Sequence, residues 1–171
     1  MRTPGRPDRE VPAPQSAWDE ILPGLWMGGH VWADGFGHLR PAVVDREFAL
    51  VVSLYTQPGH GPHPGVRHEV REIPDGPLTP AEIDAVLDAA ALTAAAVRAG
   101  HRTLVRCFAG YNRSGLVAAR AVCELTGAGA PRAIELVRRR RSPWALHNER
   151  FVGYLEAGLE VAYLLEGLSS A

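Results

Sequence analysis

Phe48 to Tyr55 and Thr103 to Arg106 are short, almost unbroken apolar runs, each fenced by polar or Gly/Pro-rich residues. Runs of this kind, too short for a core helix, suit strands buried on both faces, the habit of parallel sheets. Helix signals lie between and after them. Thr79 stands as an N-cap, Pro80 takes the first helical position, and Glu82 completes a capping box. That helix carries Ile83, Val86, Leu87, Ala90 and Val97 on one broad face and is expected to stop at Gly100. A second is expected from about Ser114 to Thr126, closed by Gly127, and a third opens at Pro131 and ends among Arg138 to Arg141. The last, capped by Asn148, carries Phe151, Leu155, Leu159 and Leu164. Further strands are expected at Ile21 to Met27, with Gly28 and Gly29 as a turn, and at Val66 to Ile73. Strands interleaved with helices predict an α/β fold, with a central, mostly parallel sheet flanked by helices.

The 171 residues suffice for one domain. The stretch Met1 to Ser16, rich in Pro and Arg, predicts a flexible tail. The boundaries that follow are a tail over residues 1–17 and a domain over residues 18–171. A formal net charge of -1 argues against a general polyanion binder, so nucleic acid is not an expected partner. No apolar run approaches the ~20 residues that span a bilayer, and the N-terminus lacks a secretory apolar core. A cytoplasmic protein with reduced cysteines and no membrane partner is therefore expected. The seven histidines show no metal-ligand spacing, so neither a metal nor a cofactor is expected.

The chemistry concentrates in Leu104-Val105-Arg106-Cys107-Phe108-Ala109-Gly110-Tyr111-Asn112-Arg113-Ser114-Gly115. A buried strand ends at Cys107, Gly110 gives the loop its conformational freedom, and Arg113 and Ser114 open a helix. The backbone N–H groups of Phe108, Ala109, Gly110, Tyr111, Asn112 and Arg113 can point at one anion, since no preceding helical turn uses them. The helix N-terminus adds partial positive charge, and the planar fork of Arg113 can grip two phosphate oxygens. The same field favours the Cys107 thiolate, the form that attacks phosphorus. Ser114 can donate a hydrogen bond to that sulfur and help it leave in a second step.

This segment resembles the signature loop of the protein tyrosine phosphatase superfamily, His-Cys-x-x-Gly-x-x-Arg-Ser/Thr, and is most similar to its dual-specificity branch. Ile21 to Gly29 is similar to the opening strand of those domains. Ala133-Ile134, Val137, the Arg run and Asn148 to Leu155 resemble their closing helices. The resemblance implies a cysteine-phosphatase fold and hydrolysis of phosphate monoesters on phosphotyrosine or phosphoserine/threonine proteins, or on small phosphate monoesters. Arg106 stands where the family usually has His. Strand alternation turns position 106 away from the pocket, where it is expected to support the loop from behind.

Expelling an alkoxide or phenoxide from phosphorus requires a proton at the leaving oxygen. Asp75, in a Pro/Gly-bounded loop at a strand end, is the candidate, and the resemblance implies a general acid at a comparable place. Asp84 and Asp88 fit a solvated helix face better. The side chains of Tyr111 and Phe108 are expected at the pocket rim or packed on neighbouring elements, and Asn112 as a brace of the loop. Cys123 lies too far along its helix to pair with Cys107 and is expected in the core. The Arg138 to Arg141 run is expected as a solvated helix end. Two alternatives stay open: an RNA 5′-phosphatase or triphosphatase, whose loop is also similar, and a phosphate-binding module without turnover.

Overall fold

The computed structural model describes residues 11–171. Twelve elements follow in chain order: β1 (Trp18–Leu22), β2 (Leu25–Gly28), β3 (Val31–Ala33), β4 (Leu39–Pro41), β5 (Leu50–Ser53), β6 (Arg67–Val70), α1 (Pro80–Arg98), β7 (Thr103–Arg106), α2 (Arg113–Thr126), α3 (Ala130–Arg140), α4 (Glu149–Ala157) and α5 (Leu159–Ser169). Five strands form one sheet in the order β1-β2-β7-β5-β6. β1 and β2 pair antiparallel, and the other neighbours are parallel. The mostly parallel sheet with helices is the expected α/β architecture.

Side-chain alternation divides the sheet into two unlike faces. Leu25, Met27, Leu50, Val52 and Val105 point into a core that they share with residues of all five helices. Val51 and Leu104 point the other way, into a smaller cluster with Val44 and Phe48, against which Trp18, Trp26 and Val66 pack. Cys107 follows the alternation onto the helix side. Arg106 falls on the opposite side.

The helix signals act as local chemistry dictates. Thr79 Oγ1 accepts the Glu82 N–H at 3.2 Å and Glu82 Oε2 accepts the Thr79 N–H at 2.8 Å, so the capping box starts α1. Gly127, at φ +74°, ends α2 in the left-handed conformation that favours glycine. Two expectations need correction. The single strand over Ile21 to Met27 is a hairpin, because Pro23 and Gly24, the latter at φ +86°, turn the chain between β1 and β2. The last helix is two, since Gly158, at φ +93°, breaks it between α4 and α5, leaving Leu164 exposed.

The tail also differs from expectation where it is described; Met1 to Glu10 lie outside the described residues. The Pro14 carbonyl accepts the Ala33 N–H at 2.7 Å, and the Ala17 carbonyl accepts the Gly29 N–H at 3.2 Å. Residues 11–17 are thus tied to the domain by backbone hydrogen bonds that composition alone does not reveal. Among the described residues no helix is long and apolar enough to cross a membrane.

Candidate active site

β7 delivers Cys107 to the end of the sheet, where its N–H donates to the Gly28 carbonyl at 3.2 Å. The chain then turns through Gly110, at φ +74°. A Cβ there would stand 2.5 Å from the Gly28 carbonyl carbon and 2.6 Å from a nitrogen of Arg141, so glycine is required for space as well as for conformation. A Cβ on Gly29 would meet the Phe108 carbonyl oxygen at 2.6 Å, so this glycine lets the β2 end pack closely on the loop.

The loop is open toward an anion. Among the described residues, no acceptor takes the backbone N–H groups of residues 108–113. Asn112 occupies the N-cap of α2, yet its side chain makes no cap hydrogen bond and leaves the helix N-terminus unsealed. Cys107 is almost wholly buried, with Sγ 3.2 Å from the buried Ser114 Oγ. Arg113 Nε is buried without a hydrogen-bond partner among the described residues. Unused amides, an unpaired guanidinium nitrogen and a sulfur beside a hydroxyl together make a cradle suited to a tetrahedral oxyanion.

Asn112 spends its side chain on Asp75. Its Nδ2 donates to Asp75 Oδ2 at 2.9 Å, and Asn148 Nδ2 donates to Asp75 Oδ1 at 2.8 Å. The loop carrying Asp75 is pinned at both ends: the Ile73 N–H donates to the Leu54 carbonyl, and the Leu78 N–H donates to the Tyr154 hydroxyl. Asn148 does two tasks, because its Oδ1 also caps α4 by accepting the N–H groups of Arg150 and Phe151. The brace is completed by the Asn148 N–H, which donates to Asn112 Oδ1 at 2.9 Å, and by His147 Nε2, 3.1 Å from Asn112 Nδ2.

Behind the cradle lies a buried polar layer. Arg106 turns away from the pocket as alternation requires and donates to Ser53 Oγ at 3.2 Å and to the carbonyls of His60 and Gly61 at 3.0 and 2.6 Å. It supports the loop around residue 60 rather than the cysteine loop itself. Burial lowers its pKa to about 10, which leaves it a cation at neutral pH. His30 sits next to it; its backbone N–H donates to the Phe108 carbonyl at 2.7 Å, and its ring nitrogens Nδ1 and Nε2 face His60 Nδ1 and the Tyr55 carbonyl. Burial, and then the Arg106 charge, lowers the His30 pKa from 6.5 to about 4.

Since the unfolded chain binds this proton more readily, stability that His30 contributes is present above pH 6.5 and lost as pH falls toward 4. The shift corresponds to at most about 3 kcal/mol. Urea unfolding of the wild type and His30→Gln between pH 7 and 4 should show a steeper loss of stability for the wild type.

Of the two placements expected for Tyr111 and Phe108, the structure shows packing on neighbouring elements, and one expectation, that of the arginine run, is corrected. Tyr111 is buried rather than on the rim: its hydroxyl donates to the Pro12 carbonyl at 2.7 Å and its carbonyl accepts the Leu146 N–H. Phe108 is half-buried, its ring edge-on to Tyr55 at 5.5 Å. The arginine run is not uniformly solvated. Arg141 is buried and donates to the carbonyls of Gly110 and Ala109, both at 3.1 Å, and to Asp19 Oδ2 at 2.8 Å. Arg138 donates to the carbonyls of Ala145 and Leu146, both at 3.0 Å, while Arg139 and Arg140 are exposed.

No protein-family model and no curated protein matches the chain in sequence. Solved structures do match. The chain is similar to human DUSP28 with a TM-score of 0.65 and 21% identity, over 88% of this chain and 99% of that one. A mouse putative dual specificity phosphatase, complexed with zinc tungstate, matches with a TM-score of 0.59 and 23% identity, over 93% and 96%. PTPMT1 in complex with PI(5)P matches with a TM-score of 0.61 and 13% identity, over 91% and 100%. The chain has the dual-specificity phosphatase fold.

Within that fold, the expected residues Cys107, Arg113, Ser114, Asn112 and Asp75 come together at one end of the sheet. The sequence reading missed His147 and the second task of Asn148. A cap uses only the oxygen of an asparagine, so the unspent amide nitrogen of Asn148 was the available hint.

Proposed function

We propose that this chain is a cysteine-dependent phosphatase that hydrolyses phosphate monoesters through a cysteinyl-phosphate intermediate. The observation that carries the proposal is the cradle of amides around Cys107, unused among the described residues, with Arg113 Nε unpartnered there too and Asp75 braced by the same Asn112. Phosphate oxygens take the N–H groups of residues 108–113 and the Arg113 fork. The Cys107 sulfur then forms a bond to phosphorus as the bond from phosphorus to the leaving oxygen breaks. Asp75, in its acid form, gives that oxygen its proton. In the second step water attacks phosphorus, Asp75 takes the water's proton, and the electron pair returns to sulfur, where the Ser114 hydroxyl stabilises it. The products are an alcohol or phenol and inorganic phosphate, and no metal or cofactor is needed.

Two neighbours, bound to zinc tungstate and to PI(5)P, carry ligands with oxyanion or phosphate groups, in keeping with this reading. The substrates proposed are phosphotyrosine and phosphoserine/threonine proteins or small phosphate monoesters. Phe108, Ala109 and Tyr111 offer no cationic side chain for a polyphosphorylated head group, which weighs against inositol lipids. The braced Asp75 favours monoesters over a 5′-triphosphate, whose pyrophosphate leaving group needs less protonation. Steady-state assays with p-nitrophenyl phosphate and triphosphorylated RNA, with mass spectrometry of acid-quenched protein, test this. Hydrolysis of the monoester with a phosphoryl adduct on Cys107 is expected, whereas a strong preference for the RNA would overturn the choice.

A further inference from the structure

Arg113 carries the positive charge of the proposed cradle, yet nothing acidic holds it. None of the ion pairs among the described residues includes Arg113. Its Nε is buried without a hydrogen-bond partner among those residues. An arginine side chain has several rotatable bonds, and fixing it costs up to about 2 kcal/mol of rotamer entropy. Some other contact must hold the fork.

That contact is the ring of Tyr55. The Arg113 guanidinium carbon lies 5.4 Å from the Tyr55 ring centroid, within the range of a cation–π interaction. Tyr55 follows β5, and its own ring is fixed by edge-on neighbours on two sides, His30 at 5.3 Å and Phe108 at 5.5 Å. The Tyr55 carbonyl is bonded to His30 Nε2, which ties the backbone beneath the ring. A ring face attracts the cation without occupying its N–H groups, so every donor of the fork stays available to phosphate oxygens. A carboxylate partner would attract the guanidinium more strongly, but would consume donors and offset the charge that the phosphate is to meet.

We infer that Tyr55 is the positioning residue for Arg113, its aromatic face holding the guanidinium toward the anion site. This inference rests on the phosphatase reading given above, and concerns how the cradle is organised rather than whether it turns over substrate. The observed contact is with the ring face, so the ring is the feature that matters.

The test compares the wild type with Tyr55→Phe, Tyr55→Leu, Arg113→Lys and the double variant carrying Tyr55→Leu with Arg113→Lys. Tungstate binding by calorimetry and kcat/KM for p-nitrophenyl phosphate are measured, with melting temperature as a control for packing. Tyr55→Leu should weaken tungstate binding and lower kcat/KM by about tenfold. Tyr55→Phe should restore both to within about twofold of the wild type. In the Arg113→Lys background, Tyr55→Leu should have a much smaller further effect, since the ring then has no planar fork to hold. Additive losses, or a Phe variant as impaired as the Leu variant, would overturn the inference. Cys107→Ser separates the two proposals: loss of turnover there, together with a Leu variant equal to the wild type, sinks the role of Tyr55 and leaves the phosphatase reading standing. A wild type that neither binds tungstate nor turns over would end both.

Discussion

Replacing Cys107 with Ser is expected to lower turnover of p-nitrophenyl phosphate by at least roughly 10⁴-fold, because a serine hydroxyl at this site has no adjacent base to activate it. Among the described residues, Cys107 Sγ has only the Ser114 hydroxyl as a hydrogen-bond partner, and Ser fits the same buried space. The amides of residues 108–113 and the Arg113 guanidinium are untouched by the change. Tungstate binding should therefore persist in Cys107→Ser, measured by calorimetry beside the kinetic assay. Turnover within tenfold of the wild type would remove Cys107 as nucleophile. Loss of both turnover and tungstate binding would show that the sulfur, and not the amide cradle, organises the anion site.

Asp75→Asn is expected to act according to the leaving group. For phenyl or alkyl phosphates, whose departing oxygen needs a proton, the rate should fall by about 10²–10³-fold; for activated aryl phosphates it should fall much less. The geometry adds a second, smaller consequence. Both Asp75 oxygens accept from amide nitrogens, of Asn112 and of Asn148. An asparagine at position 75 must turn its own NH₂ toward one of those donors, leaving one hydrogen bond unmade at a cost of about 1 kcal/mol. Thermal unfolding measures that cost separately. A rate loss equal across all leaving groups would mean that Asp75 only braces the loop and does not deliver a proton.

The braces explain why the site was only partly legible in sequence. Cys107, Gly110, Arg113 and Ser114 lie within eight consecutive positions, and their chemistry follows from a strand end, a left-handed glycine and a helix start. Arg106 was legible for the same reason, since alternation along β7 decides which face it takes. His147 carries no comparable local sign. It reaches the site because the Leu146 N–H donates to the Tyr111 carbonyl, a contact across 35 positions of the chain (146 minus 111). The Arg141 side chain likewise looked like the end of a solvated helix. Its partners Ser16, Asp19, Ala109 and Gly110 come from two other segments, one of them the start of β1 with the residues just before it.

Local rules therefore determined the capping box of α1, the glycine stop of α2, the buried runs of β5 and β7, and the cysteine-to-arginine loop with its anion-binding potential. Each depends on backbone conformations or side-chain periods set by neighbouring residues. Tertiary structure alone decided that Asn112 faces Asp75 instead of capping its own helix, that Asn148 shares the load, and that Tyr55 lies under the Arg113 guanidinium. Those pairings join residues far apart in the chain, and they form only once folding has brought those segments together and partly screened them from water.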